Sequence, residues 1–506
     1  MEIRARRPPP WAALWLAVGL LGGCSVGPDF TPPVAPQVAR LTNGPLPAST
    51  VAADTLGGAA QHFRHGADVP GAWWEMFRSP QLSALVAKAL HANPDLTAAQ
   101  ATLREARETT RAAQGAFFPS ISASTAAQRE QASLAAFGIP GGGSARFDLY
   151  SGAVNATYLL DVFGGTRRQV EQLQAQAAYD RAELEATYLT LTANLVGALL
   201  TEASLKAQVA ATTDIIHLYR QELDVVRQRF ELGGISKAEV LQQQASLAAE
   251  LATLPPLQKQ LALQRNLVAT YLGEVPSQYT APTLDLANLH LPAELPVALP
   301  SQLVAQRPDI RAYAALLHAA TANVGVATAN MLPQFTLSAS YGLEGVQVSQ
   351  LFTPGGIVWS LVGGLTQPLF EGGTLRHRRQ AAIAAMDQAA AQYASIVIAA
   401  FRNVADALVA ITQDAESLRA EVASERAAAA SLAVTRAQFQ AGSTPYLNVL
   451  QAEQTYESAR LQLVSAQAAR FVDTVALFQA LGGGWWHRED VNPSVAHCCG
   501  VLPWTP

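Results

Sequence analysis

From Thr374 to Gln440 the chain runs 67 residues without a glycine or a proline. The run is dense in Ala, Gln, Glu, Arg and Leu, all strong helix formers. Gly372-Gly373 precede it and Gly442-Ser443-Thr444-Pro445 follow it. At 1.5 Å per residue, an unbroken helix of that length reaches roughly 100 Å. No ordinary globule encloses such a rod. A second Pro-free run of equal length, Thr166 to Leu232, is interrupted only by Gly197, opened by Gly164-Gly165 and closed by Gly233-Gly234. The rest of the chain must provide something long for two rods to flank.

The rods belong to an internal duplication. Asn93-Pro94-Asp95-Leu96 is answered by Arg307-Pro308-Asp309-Ile310, 214 residues later. Phe163-Gly164-Gly165-Thr166-Arg167 is answered by Phe370-Glu371-Gly372-Gly373-Thr374. Phe230…Val240-Leu241-Gln242 and Leu272-Gly273 are answered by Phe439…Val449-Leu450-Gln451 and Leu481-Gly482, both at an offset of 209. Each copy reads as helix, strand, strand, long helix, turn and returning helix. Residues 73–278 and 301–485 hold the two copies, and a Pro-rich linker, 279–300, joins them. Pro255-Pro256 is expected to interrupt the first returning helix, whereas Pro445 to Leu481 reads as unbroken.

The N-terminus reads as an address. Arg4, Arg6 and Arg7 precede a short apolar run, Trp11 to Leu21, too short to span a bilayer and typical of a signal peptide. It ends in Leu21-Gly22-Gly23-Cys24, a sequence similar to the lipobox of bacterial lipoproteins. Cleavage after residue 23 would free Cys24 for lipidation, and Ser25 at the next position favours the outer membrane. An ordinary signal peptide with an incidental cysteine is the alternative. Residues 24–72, rich in Pro, Ala, Gly and Thr, read as an extended tether lacking a core, with order beginning near Trp73. Cys498 and Cys499 are adjacent and cannot staple distant segments. The tail, 486–506, carries no legible role.

Beyond the N-terminus no run of 18 or more uncharged apolar residues appears, so transmembrane helices are not expected. Without residues 1–23 the chain holds 31 basic against 38 acidic residues, a net charge of −7 that gives no support to nucleic-acid binding. The enzyme motifs G-x-S-x-G, H-E-x-x-H, the Walker loop and C-x-x-C are all absent, and no metal-ligand pattern occurs. The chain therefore reads as neither an enzyme nor a cofactor binder.

Four short segments have strand character. After Pro333, Phe335, Leu337, Ala339, Tyr341 and Leu343 alternate with polar or small residues, a clean period of two. Tyr150, Val154, Ala156, Tyr158 and Leu160 share one side of another segment. Weaker copies lie at 121–127, after Pro119, and at 357–365. A β-layer packed on helices is the ordinary reading. The second reading is membrane insertion, since Tyr150 and Tyr158 would stand roughly 27 Å apart along a strand, near the height of an outer-membrane apolar band. Sheets in lipid must close, and the smallest closed barrels need about eight strands. Four strands per chain would then demand two copies for eight or three for twelve.

Taken together, these residues resemble the TolC-like outer membrane factors of tripartite efflux systems, in their NodT-type lipoprotein branch. The resemblance rests on Cys24-Ser25-Val26-Gly27-Pro28-Asp29-Phe30, Trp73-Trp74…Phe77, Asn93-Pro94-Asp95-Leu96, Asp161-Val162-Phe163-Gly164-Gly165, Arg307-Pro308-Asp309-Ile310 and Leu481-Gly482-Gly483-Gly484-Trp485. It implies a mainly α fold with a small β part. Three chains would share a 12-stranded outer-membrane barrel continuous with a helical tunnel across the periplasm. It further implies a homotrimer docked to a periplasmic adaptor and an inner-membrane transporter, conducting substrate passively, with a covalent lipid on Cys24 and no other cofactor. Stacked shorter helices, Ser301–Leu332 above Pro445–Leu481, would fill the path beside each rod.

The turns at Gly233-Gly234 and Gly442…Pro445 are then the periplasmic tips, with Ser236 and Thr444 available to cap the returning helices. In the family, a constriction forms just inside the second returning helix, often from an aspartate ring with a Leu one turn earlier. The Leu position is Leu447, and the aspartate position holds Gln451. A gate of Leu447 side chains and Gln451 amides should depend weakly on pH and divalent cations; the alternative is that both residues merely pack the hairpin. A non-channel periplasmic coiled coil, structural or adaptor-like, would also explain the rods, but would leave the paired strands in both halves unexplained.

Overall fold

The computed structural model describes residues 25–488 apart from 35, 37, 39, 43, 134–142 and 283. The signal segment, Cys24, Cys498 and Cys499 lie outside the described residues. Eight α-helices and six strands follow in order: β1 (His62–His65), α1 (Pro80–Ala92), α2 (Pro94–Gln114), β2 (Ser120–Ser133), β3 (Ser144–Leu160), α3 (Gly165–Glu231), α4 (Lys237–Tyr271), β4 (Glu294–Val297), α5 (Pro300–Gln306), α6 (Pro308–Ala329), β5 (Gln334–Gly345), β6 (Ile357–Thr366), α7 (Thr374–Gln440) and α8 (Tyr446–Ala480). The two rods are α3 and α7, each 67 residues long. The chain forms two compact units, one of residues up to 33, 102–181 and 312–393, the other of 34–101, 182–311 and from 394 onward.

The first unit contains the four-stranded antiparallel sheet, in the order β2-β3-β5-β6. The hairpins β2–β3 and β5–β6 come from opposite halves of the duplication and meet along β3 and β5, where Val154 faces Tyr341 and Tyr158 faces Leu337. Strands begin directly after Pro119 and Pro333, as expected, because proline can supply no ladder N–H inside a strand. Rod α3 starts beside the foot of β3. There Asp161 accepts from the backbone N–H groups of Thr166 and Arg167 at 3.0 and 2.9 Å, placing a carboxylate at the positive end of the helix.

The second unit buries the main apolar core. Trp73, Phe77, Leu82, Leu195, Val268, Leu295, Val404, Leu408, Phe471 and Phe478 pack together there. Trp73 stacks on Phe478 at 5.5 Å between ring centroids. The stacking of short helices repeats in both halves. Asn93, before α2, donates its side-chain amide to the carbonyl of Tyr271 at the end of α4, at 3.0 Å. Arg307, before α6, donates to the carbonyl of Ala480 at the end of α8, at 2.8 Å. Each X-Pro-Asp motif thus satisfies an orphan carbonyl of the helix it stacks on, and Asn93 also caps its own helix by accepting from the N–H groups of Asp95 and Leu96.

Three expectations are corrected. Helix α4 runs straight through Pro255-Pro256; the surrounding residues are exposed, so the carbonyls freed at Leu251 and Ala252 remain open to hydration while both ends of the helix pack. The segment 24–72 is no coreless tether. Phe63 and Val69 are buried, β1 pairs in parallel with β4 from the linker, and Gln61 bridges to the carbonyl of Pro292 at 3.0 Å and to Thr474 at 3.2 Å. Its proline content conceals a few deep anchors. Residues 301–332 form two helices, because Pro308 forces Arg307 out of helical geometry (ψ 128°).

Candidate functional site

Two places carry chemistry that the fold does not consume: the sheet and the hairpin tips. Every residue of β6 is exposed, including Ile357, Val358, Trp359, Leu361, Val362 and Leu365. Trp359 is 73% exposed and sits opposite Tyr341, 60% exposed, as a cross-strand aromatic pair. Strands β2 and β6 each leave one edge unpaired among the described residues. An apolar sheet with open edges is unstable in water and costly in lipid.

At the tips, glycine supplies the left-handed turn in both hairpins. Gly233 (φ 76°) and Gly442 (φ 73°) lie at equivalent places. Their N–H groups donate to Phe230 and Phe439, and those of Gly234 and Ser443 donate to Arg229 and Gln438, which is the same helix-terminating motif twice. Ser236 caps α4 in a full capping box with Glu239. Thr444 does not cap α8. Pro445 occupies the cap position, and the Thr444 hydroxyl accepts from the Asn448 side chain at 2.7 Å. Leu447 is 52% exposed, and Gln451, one turn on, is exposed on the same face.

Behind that face the structure places a cluster that sequence reasoning missed. Ile215, Tyr219, Leu223 and Val226 of α3, Val240 of α4, Leu432 of α7 and Tyr446, Val449 and Leu450 of α8 form a small core where four helices meet. Glu453 enters it only 3% exposed. Arg436 donates to Glu453 at 3.0 Å and also to Glu222. Gln243, fully buried, reaches Glu222 and the Tyr219 carbonyl. Glu457 lies one turn beyond Glu453, with Glu250 of α4 near it. The two-residue step from Gln451 turns Glu453 inward, and its partners stand 17 and 231 residues away, so only the fold brings them together.

Burial, and then Glu222 competing for the same guanidinium, push the Glu453 carboxyl up to about 9. Glu453 Oε2 is buried without a hydrogen-bond partner among the described residues. Burial, with Glu250 next, pushes Glu457 up to about 7. Burial and the nearby carboxylates also raise Tyr219 and Tyr446 above the ordinary phenol range. Arg436 loses some stability as a cation through burial, but its two carboxylate neighbours outweigh that and hold it above its ordinary value.

Comparison with known proteins agrees with this geometry. Residues 85–274 and 299–483 match the family described as Outer membrane efflux protein, once for each half of the duplication. The chain is 29% identical over 475 residues to the probable efflux pump outer membrane protein TtgC of Pseudomonas putida, covering 93% of this chain and 94% of that one. It is 30% identical over 426 residues to the pyoverdine export outer membrane protein OpmQ of the same species, covering 82% and 88%. Among solved structures, the outer-membrane channel OprN superposes with a TM-score of 0.81 at 28% identity, over 91% of this chain and all of that one. The open-state MtrE outer membrane channel of Neisseria gonorrhoeae superposes at 0.77 with 25% identity, over 92% and 99%. The chain belongs to the outer membrane efflux protein family.

Proposed function

We propose that three copies of this chain close a 12-stranded barrel in the outer membrane, and that their rods form a helical tunnel into the periplasm. The chain itself is an outer-membrane channel component of a tripartite efflux system, and not an enzyme. The observation that carries the trimer is the four-stranded sheet, open at two edges and with every residue of its apolar strand β6 exposed. Twelve strands from three copies leave no edge in lipid. The tunnel receives its load from a periplasmic adaptor and an inner-membrane transporter, and substrate passes without chemistry. Relatives at similar identity carry names of toluene efflux, pyoverdine export and cation efflux, so cargo choice belongs outside this duct.

A lipid on Cys24 anchors each copy, as in the NodT-type lipoprotein branch. Supporting this, the segment just after it is seated at the foot of β3. The Val26 N–H donates to the Phe163 carbonyl at 3.2 Å, and Asp29 pairs with the buried Arg168 at 2.5 Å. A side chain at Gly164 would strike Ser25 at 2.9 Å. Ser25, the first described residue, therefore lies beside the foot of β3. Mass spectrometry of the mature N-terminus should find an acylated Cys24, and an unmodified N-terminus there would remove this part of the proposal.

Leu447 and Gln451 form the constriction, three apolar side chains followed by an amide ring. Low-millimolar divalent cations should leave the conductance of the purified channel in a planar bilayer unchanged, and Gln451→Asp should introduce a block. Strong divalent block of the unmodified channel would rule out an uncharged ring.

A further inference from the structure

The carboxyl cluster behind the tip holds more acid than its cation can balance. Glu222 of α3 and Glu453 of α8 share one guanidinium, Arg436 of α7, while Glu457 of α8 and Glu250 of α4 lie beside them with no cation of their own in the cluster. Tyr219, Tyr446 and Tyr456 are the phenols beside these groups, and burial holds the first two above the ordinary phenol range. The void among Tyr219, Glu222, Arg436, Glu453, Tyr456 and Glu457 is about 10 Å³, at the lower limit for a single water. The Glu453 carboxylate, 3% exposed, cannot be hydrated there while the helices stay packed.

We propose that this junction is a proton-operated latch, in which the carboxyl groups of Glu453 and Glu457 hold the α3–α4 and α7–α8 hairpins together when protonated and loosen them when ionised. The proposal rests on the reading of these hairpins as the closing end of a channel. It places the pH dependence behind the Leu447–Gln451 face, which does not titrate, and so replaces the expectation of weak pH dependence drawn from that face alone.

The sign follows from the direction of the shifts. In the packed state both carboxyls keep their protons well above the ordinary carboxylate range, Glu457 to about 7 and Glu453 to about 9. In the separated, hydrated state they lose them near their ordinary values. The packed state therefore binds more protons throughout that window, and packing weakens as pH rises through it. Each such carboxyl changes the packed-to-separated ratio by up to roughly tenfold per pH unit. The Asp214–Arg460 pair, 3.4 Å apart, links α3 and α8 nearer the middle of the rods, outside this cluster.

The test uses the full-length assembly in detergent and in planar bilayers at pH 5.5 and 8.5. Amide exchange over 446–457, corrected for its intrinsic pH dependence, should be at least tenfold faster at pH 8.5, and conductance should be higher there. The double variant Glu453→Gln, Glu457→Gln carries permanent mimics of the protonated acids, so it should stay protected and poorly conducting at both pH values. Equal protection of the unmodified chain at the two pH values, or an unchanged pH response in the double variant, would overturn the latch. A pH-dependent exchange rate with no conductance at any pH would support the latch and count against the channel reading instead.

Discussion

At the first hairpin tip Gly233 and Gly234 donate to Phe230 and Arg229; at the second, 209 residues later, Gly442 and Ser443 donate to Phe439 and Gln438. The backbones are copies. The side chains behind them have parted. At the same offset Glu453 and Glu457 correspond to Gln244 and Ala248, and Leu447 corresponds to Ala238. Arg436 corresponds to Arg227, which makes only an exposed contact with Asp224 at 3.7 Å, and Glu222 corresponds to Ser431. The first half kept a well-capped turn and contributes Tyr219, Glu222, Gln243 and Glu250. The second contributes Arg436, Glu453 and Glu457. Duplication thus supplied two like hairpins, and divergence made them complementary partners at a junction neither could form alone.

The comparison breaks most sharply at the paired arginines. Arg436→Ala removes the guanidinium that Glu222 and the 3%-exposed Glu453 share, leaving Glu222 without its cation and Glu453 without its donor, and losing hydrogen bonds to a charged group costs about 1.5–3 kcal/mol. Arg227→Ala at the equivalent site should cost under about 1 kcal/mol, as exposed pairs do. Limited proteolysis across the two tips should expose the second hairpin in the first variant and leave both intact in the second variant. Equal sensitivity would mean that the halves have not diverged in this way.

Backbone symmetry gives the next effect. Gly233→Val and Gly442→Val both force a β-branched residue into left-handed geometry, costing roughly 1–2 kcal/mol each. Denaturant midpoints should fall by similar amounts for the two.

The smallest effect separates the caps. Ser236→Ala removes a capping-box hydroxyl worth about 1 kcal/mol, whereas Thr444→Ala should cost less, because Thr444 binds only the Asn448 side chain. Amide exchange in the first turn of α4 and of α8 would read the difference.

The architecture was largely open to inspection in the sequence. Rod α7 has the bounds of its Gly- and Pro-free run, and α3 differs by one residue at each end, because composition without breakers fixes helix length almost alone. Pro119 and Pro333 mark strand starts for an equally local reason. What escaped depends on distant partners. Glu453 gives no local sign that it meets Arg436 and Glu222, and Gln61 gives none that it meets Pro292 and Thr474. Pro255-Pro256 misled in the opposite sense, since a local rule yielded to packing along the rest of α4. Leu447 and Gln451 were reached only through the family resemblance; the acids behind them needed the fold.

The central claim is that a chain bringing four strands must share its barrel with others. Native mass spectrometry of the detergent-extracted protein, at 53.5 kDa per full-length chain, tests it most directly. The account predicts particles of three chains that yield one conducting pore in a planar bilayer. Monomers that carry no current would contradict it.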